Sequence, residues 1–224
     1  MSTYKALRKN PSAAPADPAA IAALREIPVA ALSDNMHRNI GTVGLQPYHR
    51  PVAQTMAGTA VTARSRGGDN LTYLRALEFC RPGDVLVIDC GGDLNNAAVG
   101  GILSFYAAHI GVVGVVVDGA IRDVAEIRER EFPVYARGVT HRGPYKDGPG
   151  EINVPISVGG MVVNPGDIVV GDQDGLLAIP QDGIQQLIEK ARGHLETEAQ
   201  TIRAMKEGRW DRSFIDALEA RCNN

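Results

Sequence analysis

The sequence predicts an α/β layer fold: a layered, largely parallel sheet with flanking helices, a strand–helix first half and a β-rich second half. Three observations predict it. Between residues 58 and 139, short apolar or β-branched runs alternate with segments of helical spacing, the rhythm of crossover connections in a sheet. Two of those runs, VLVID at 85–89 and VVGVVVD at 112–118, carry almost no polar face, as expected of strands covered on both sides. Beyond residue 150, strand-like runs follow one another too closely to leave room for helices between them.

Taken in order, residues 9–19 (KNPSAAPADPA) form an extended lead-in, because Pro11, Pro15 and Pro18 forbid a continuous helix. Two short helices, 21–25 and 29–38, flank Pro28, and 41–54 is a loop with two glycines, two prolines and no periodicity. GTAVTARS at 58–65 is a strand. Leu71, Leu74, Ala76 and Leu77 place an amphipathic helix at 70–80. A Pro82-Gly83-Asp84 turn launches the strand at 85–89; Gly91-Gly92-Asp93 is a turn before a helix ending near Ile110. The strand at 112–118, a helix at 123–130 and a strand at 134–139 follow. After a Gly/Pro loop at 143–150 come strands at 154–158, 161–163, 168–170 and 176–179, expected as a β-rich layer rather than more crossovers. A long helix spans 181–206, with Ile184, Leu187, Ile188 and Ala191 on one face and a bend expected at Gly193; 213–220 is a short last helix. The chain thus divides into an N-terminal lead-in with short helices (1–57), an α/β core (58–180) and a C-terminal helical segment (181–224).

Composition narrows the function classes. A formal charge of −3 gives no electrostatic reason to expect nucleic acid. No apolar signal core and no run of membrane-spanning length are present, so no membrane is expected and the cytoplasm is the expected compartment. Cys80, Cys90 and Cys222 form neither a CxxC pair nor an even framework, which suits a reducing compartment. The five histidines lack HxxxH or HxH spacing, which argues against a histidine zinc site; His109 is expected to be a packing residue. None of Lys5, Lys9, Lys146, Lys190 and Lys206 lies at an apolar strand end, which argues against a Schiff-base mechanism. Neither a dinucleotide fingerprint nor a phosphate-loop motif occurs.

Ligands of open α/β sheets bind beyond the carboxyl ends of strands, and two such ends stand out. Asp89-Cys90-Gly91-Gly92-Asp93 leads to Asn95, Asn96 and a second glycine pair, Gly100-Gly101, ahead of Ile102-Leu103-Ser104, where a regular helix can begin. Glycines there let backbone amides approach an anion at a helix N-terminus; the alternative is that they only allow tight packing. The second end is Val115-Val116-Val117-Asp118-Gly119-Ala120-Ile121-Arg122-Asp123. Arg122 offers a forked donor for a carboxylate or 2-oxo acid, and Asp123 a ligand for a divalent ion. The alternative is that Asp123 caps a helix while Arg122 pairs on the surface.

These residues resemble a family. The run from Gly91 to Asp123 is similar to the signature of the 4-hydroxy-4-methyl-2-oxoglutarate aldolases and RraA-like proteins. The similarity extends from about Gly58 to Ile179, through Gly68-Asp-Asn-Leu, Phe132-Pro-Val-Tyr-Ala-Arg-Gly-Val-Thr and Gly150-Glu-Ile-Asn-Val-Pro. The resemblance implies an RraA-like fold and a metal-dependent lyase acting on small 2-oxo acids, with oxaloacetate decarboxylation through the same enolate. Backbone amides around Gly100, Gly101, Ile102 and Leu103 would hold the pyruvyl portion, Arg122 its carboxylate or oxo group, and Asp123 Mg²⁺ or Mn²⁺. Glu198 would be the acid donated by a neighbouring chain of a homotrimer or hexamer. The same family contains non-catalytic regulators of an RNA-degrading endonuclease, which generally lack the aspartate; that is the alternative function. Twenty-one positions before the arginine, where these aldolases carry an acid expected to manage water and protons near the metal, this chain has Gly101. Asp93 and Asp118 are the residues expected to compensate.

Overall fold

The structure, a computed structural model, describes residues 7–38 and 40–222; Lys5 and the start of the lead-in lie outside them. The chain runs through β1 (Leu7–Lys9), α1 (Pro18–Leu24), α2 (Val29–Asp34), β2 (Gln46–Pro47) and β3 (Met56–Ser65). Next come α3 (Leu71–Ala76), ending in a tight 3-10 turn, β4 (Asp84–Asp89), β5 (Ala97–Val99) and α4 (Gly101–His109). β6 (Gly114–Ile121), α5 (Val124–Arg128) and β7 (Val134–Val139) complete the strand–helix half. The rest comprises β8 (Gly150–Ile152), β9 (Ile156–Val158), β10 (Met161–Val163), β11 (Ile168–Gly171), β12 (Leu176–Ile179), α6 (Ile184–Lys206) and α7 (Ser213–Cys222).

The predicted α/β sheet is present, with β3, β4, β6 and β7 side by side and parallel at its centre. Every residue of β6 is buried. Its first half pairs with β4, from Gly114 opposite Val85 to Asp118 opposite Asp89. Its second half pairs with β5, with Ala120 opposite Ala97 and Ile121 opposite Val99. The two-residue alternation of a strand then divides the core. Leu86, Ile88, Val115 and Val117 join Tyr73, Leu103 and Ile127 from the helices on one face. Val85, Val87 and Val116 meet Ile156, Val158 and Met161 of the β9–β10 hairpin on the other. Each such aliphatic side chain contributes roughly 1.5–3 kcal/mol on burial. A third cluster packs α1, α2 and α6 on Ile168, Val170, Leu177 and Ile179.

Several expectations need correction. The 41–54 loop contains β2, held as an edge strand antiparallel to β7. The segment after the Gly91-Gly92-Asp93 turn does not lead straight into a helix: 97–99 is drawn into the sheet as β5, and α4 starts at Gly101. The β-rich half is built without further crossovers, as expected, but it is shared out: β8 and β11 pair antiparallel with β3 and β12 with β11, while β9 and β10 form a two-stranded sheet. α6 runs through Gly193 as a single helix; a glycine's helix penalty of about 1 kcal/mol is too small to end a helix of that length. His109 is exposed, not packed.

One buried acid shapes the loop beside the site. Asp69, 0% exposed, accepts backbone N–H groups from Leu71 at 3.0 Å, Asp147 at 2.6 Å and Gly148 at 2.9 Å. Burial alone pushes its pKa up; those amide donors and Arg66 outweigh it, and the net shift is downward. A lowered carboxylate pKa means a contribution to stability that is complete above the unfolded value and lost as pH falls through the folded one. Asp69→Asn is expected to cost about 1–3 kcal/mol at pH 7, since an amide nitrogen cannot accept these bonds. Urea unfolding of both proteins checks it, and the gap between them should shrink below about pH 4.

Candidate active site

β6 continues three residues past Asp118, so Arg122 and Asp123 stand just beyond its carboxyl end. The Arg122 N–H donates to the Val99 carbonyl at 3.0 Å, tying the elbow to the end of β5. Asp123 occupies the N-cap position of α5 with φ 59° and ψ 36°, in the left-handed region. For a residue with a Cβ this conformation costs on the order of 1–2 kcal/mol, although aspartate tolerates it better than most. Asp123-Val-Ala-Glu126 has the spacing of a capping box, yet Asp123 makes no side-chain cap to its own helix. Its Oδ2 instead accepts the Gly101 N–H of α4 at 2.9 Å. A strained residue turned away from its local partner toward another helix end is the pattern of a functional position.

The start of α4 explains the glycine pair. Gly100 is the N-cap and supplies no side-chain cap. A Cβ on Gly100 would stand 2.5 Å from Asp123 Oδ2 and 3.1 Å from Arg122 Cγ, so the glycine is what lets the arginine–aspartate elbow close on the helix. Of the amides expected to hold substrate, that of Gly101 is already engaged by Asp123. Ile102 and Leu103 sit in the first turn, where amides have no intrahelical acceptor. With the positive end of the helix dipole they form an anion-binding end.

These groups open onto a cavity of about 340 Å³ between α3, β5, α4 and the 144–146 loop. Its walls are mostly apolar, including Leu74, Leu77, Ala98, Leu103 and Tyr106, with Asn70, Arg122, Asp123 and Lys146 as the polar members. Arg122 Nε lies 3.7 Å from Asp123 Oδ2. Two cations to one carboxylate, beside a helix N-terminus, suit an anionic ligand. Asn70 is 8% exposed; its Nδ2 donates to the Ala98 carbonyl at 3.3 Å, while its Oδ1 has no donor among the described residues. Asn70 was legible only as part of the Gly68-Asp-Asn-Leu run. Lys146 carried no signal, because it reaches the cavity through the loop that Asp69 holds.

The other expected residues lie elsewhere. Asp118 is clamped by Arg137 Nε at 2.6 Å on one oxygen and the Gly159 N–H at 2.8 Å on the other, and it does not line the cavity. Asp93 accepts from Asn95 and does not line the cavity. Neither stands in for an acid at residue 101. Glu198 is on α6, paired with His194 Nε2 at 3.2 Å, and a single chain does not bring it to the cavity. Burial pushes the Cys90 thiol up to about 12, which makes it a poor nucleophile. Among the described residues no three His, Cys, Asp or Glu side chains converge as a closed metal site. The donors do fit Mg²⁺ or Mn²⁺, which need one or two carboxylates and keep their waters. Asp123 meets that requirement, with no protein donor on Oδ1 among the described residues.

Fold and site together define an α/β protein with an arginine–aspartate pair and a helix N-terminus at the carboxyl end of its central strand. The family model of the RraA-like proteins (Aldolase/RraA) matches residues 29–178, and the chain belongs to that family. A Halalkalibacterium halodurans relative is 39% identical over 174 residues, 77% of this chain and 81% of its own length; its name assigns it 4-hydroxy-4-methyl-2-oxoglutarate aldolase activity provisionally. The 4-hydroxy-4-methyl-2-oxoglutarate aldolase of Thermus thermophilus is 42% identical over 113 residues, 50% of this chain and 69% of that one. A solved structure of the RNA-processing inhibitor RraA from Thermus thermophilis superposes with a TM-score of 0.62 at 35% identity, covering 69% of this chain and 93% of that one.

Because Gly100 admits the Asp123 carboxylate, Gly100→Ala is expected to displace it and cost about 1–3 kcal/mol by overpacking. Amide hydrogen exchange at Gly101, read by NMR beside thermal unfolding, checks this. Loss of protection at that amide in a still folded protein is the expected result.

Proposed function

We propose that this protein is a divalent-metal-dependent lyase that cleaves 4-hydroxy-2-oxo acids, such as 4-hydroxy-4-methyl-2-oxoglutarate, to pyruvate and also decarboxylates oxaloacetate. The observation that carries this reading is the Asp123 carboxylate, withheld from its own helix and set on the first turn of α4 beside Arg122. The relatives named as aldolases support the same chemistry.

The chain's own residues account for recognition and orientation. Arg122 offers parallel N–H donors to a substrate carboxylate, and the Ile102 and Leu103 amides offer two more at the positive end of α4. Lys146, which also lines the cavity, balances a second carboxylate. Asp123 holds the metal. When bound, a divalent cation supplies Lewis acidity, polarising the 2-oxo group and stabilising the charge that develops on the pyruvate fragment. Cleavage sends the electron pair of the C3–C4 bond into the pyruvate enolate, while the 4-hydroxyl gives its proton to water and becomes a carbonyl; the enolate then takes a proton from water at C3 to leave as pyruvate. Oxaloacetate loses carbon dioxide to reach the same enolate. Apolar walls limit water around that charge.

The active assembly is a homotrimer or hexamer in which a second copy brings Glu198 to the cavity rim. Ile102 is 86% exposed, and Phe105 and Tyr106 on the same helix are exposed beside the cavity, as a face awaiting a partner would be. No helix among the described residues is long and apolar enough to cross a membrane.

Pyruvate release from both substrates, with Mg²⁺ and with EDTA, tests the reading. Asp123→Ala and EDTA are each expected to lower turnover by at least about a hundredfold, the scale of losing a principal electrostatic group. The absence of pyruvate from either substrate with any metal would sink the lyase reading. It would leave the binding role that the RNA-processing inhibitor in the same family suggests.

A further inference from the structure

Residue 101 has no side chain, and the space one would occupy is filled from another helix. A Cβ built on Gly101 would fall on Glu126 Oε2, with Glu126 Cδ at 2.8 Å and Oε1 at 3.2 Å. The same glycine's N–H carries Asp123 Oδ2 at 2.9 Å, so the carboxylates of Asp123 and Glu126 meet at one residue on the first turn of α4. Glu126 is held there. Arg130 forms an ion pair with it, donates to the Gly101 carbonyl at 3.4 Å, and stacks over the Phe105 ring with its guanidinium carbon 5.1 Å from the centroid. The spacing from Asp123 would let Glu126 complete a capping box on α5, but the residue it pairs with is Arg130.

We propose that Glu126 stands in for an acidic side chain at residue 101: it is the second carboxylate of the Asp123 metal site and acts by holding a water of the ion's hydration shell. The inference rests on the metal-dependent reading of Asp123. It does not extend the direct ligand set, because Mg²⁺ and Mn²⁺ keep several waters, and those waters need acceptors beyond the first ring of ligands. The buried Asn70 Oδ1, without a partner among the described residues, lies on the wall of the cavity that Asp123 also lines and points independently to a ligand at this end of the sheet. Glu126 is thus a positioning residue, and Gly101 is small because the acid arrives from α5. An aspartate at 101 and a glutamate at 126 are alternatives for one volume.

The test measures Mn²⁺ affinity of the full chain by isothermal titration calorimetry, with thermal unfolding as the control for fold. Glu126→Ala is expected to weaken Mn²⁺ about tenfold, the lower end of losses for outer-shell partners. Gly101→Asp placed on top of Glu126→Ala is expected to recover most of that affinity, which the loss of a mere surface ion pair with Arg130 would not allow. Unchanged affinity in Glu126→Ala, or no recovery in the double variant, overturns the proposal while leaving the function reading intact, provided Asp123→Ala still abolishes binding. A wild-type chain that binds no Mn²⁺ overturns both.

Discussion

The structure depends on β6. Its eight residues are buried on both faces, and its two edges serve different neighbours along its length: β4 beside the first half, β5 beside the second, β7 on the other side throughout. A strand so enclosed cannot slip by one residue without turning Val115 and Val117 out of one core and Val116 out of the other. Fixing that register also fixes where the strand stops. Arg122 and Asp123 are therefore delivered to one place in space, and β5 leads the Gly100–Gly101 pair to the same place.

At that point local preference and tertiary demand disagree. Left to itself, Asp123 would cap α5, and Glu126 would complete the box. In the fold, Asp123 takes a left-handed conformation and gives its carboxylate to α4, while Glu126 leans on Arg130 and the face of Gly101. Both acids are drawn to the uncapped end of α4, where unpaired amides and the helix dipole favour negative charge. The same field that draws these carboxylates in would draw a substrate anion toward Ile102 and Leu103. Arg122 and Lys146 keep the cavity from becoming repulsive to it.

The family has room for enzymes and for inhibitors of RNA processing on one scaffold, because a fold sets where a site can be and side chains set what it does. The scaffold here is held by groups engaged in structural contacts: Asp118 locked to Arg137, Asp69 holding three backbone amides, Cys90 buried at the end of β4. Asp123 and Glu126 instead keep part of their carboxylates at the surface beside the start of α4, the first bonded to the Gly101 amide and the second paired with Arg130. That division separates the acids of the Gly91–Asp123 run more sharply than their sequence neighbourhood does.

The sequence by itself determined the α/β class, the buried strands around 85–89 and 112–118, the glycine pair and the Arg122–Asp123 doublet, because periodicity and turn chemistry are local properties written in neighbouring residues. Only the tertiary structure decided that 97–99 would be a strand, that β8 and β11 would join the main sheet, and that Lys146 and Asn70 would share a cavity with Asp123. It also decided that Glu126, not Asp93 or Asp118, stands against residue 101. Each of these turns on contacts between residues 22 to 115 positions apart. Such contacts are settled by how β3 and β6 are packed into the sheet, and a spacing rule within one window of sequence carries no information about them.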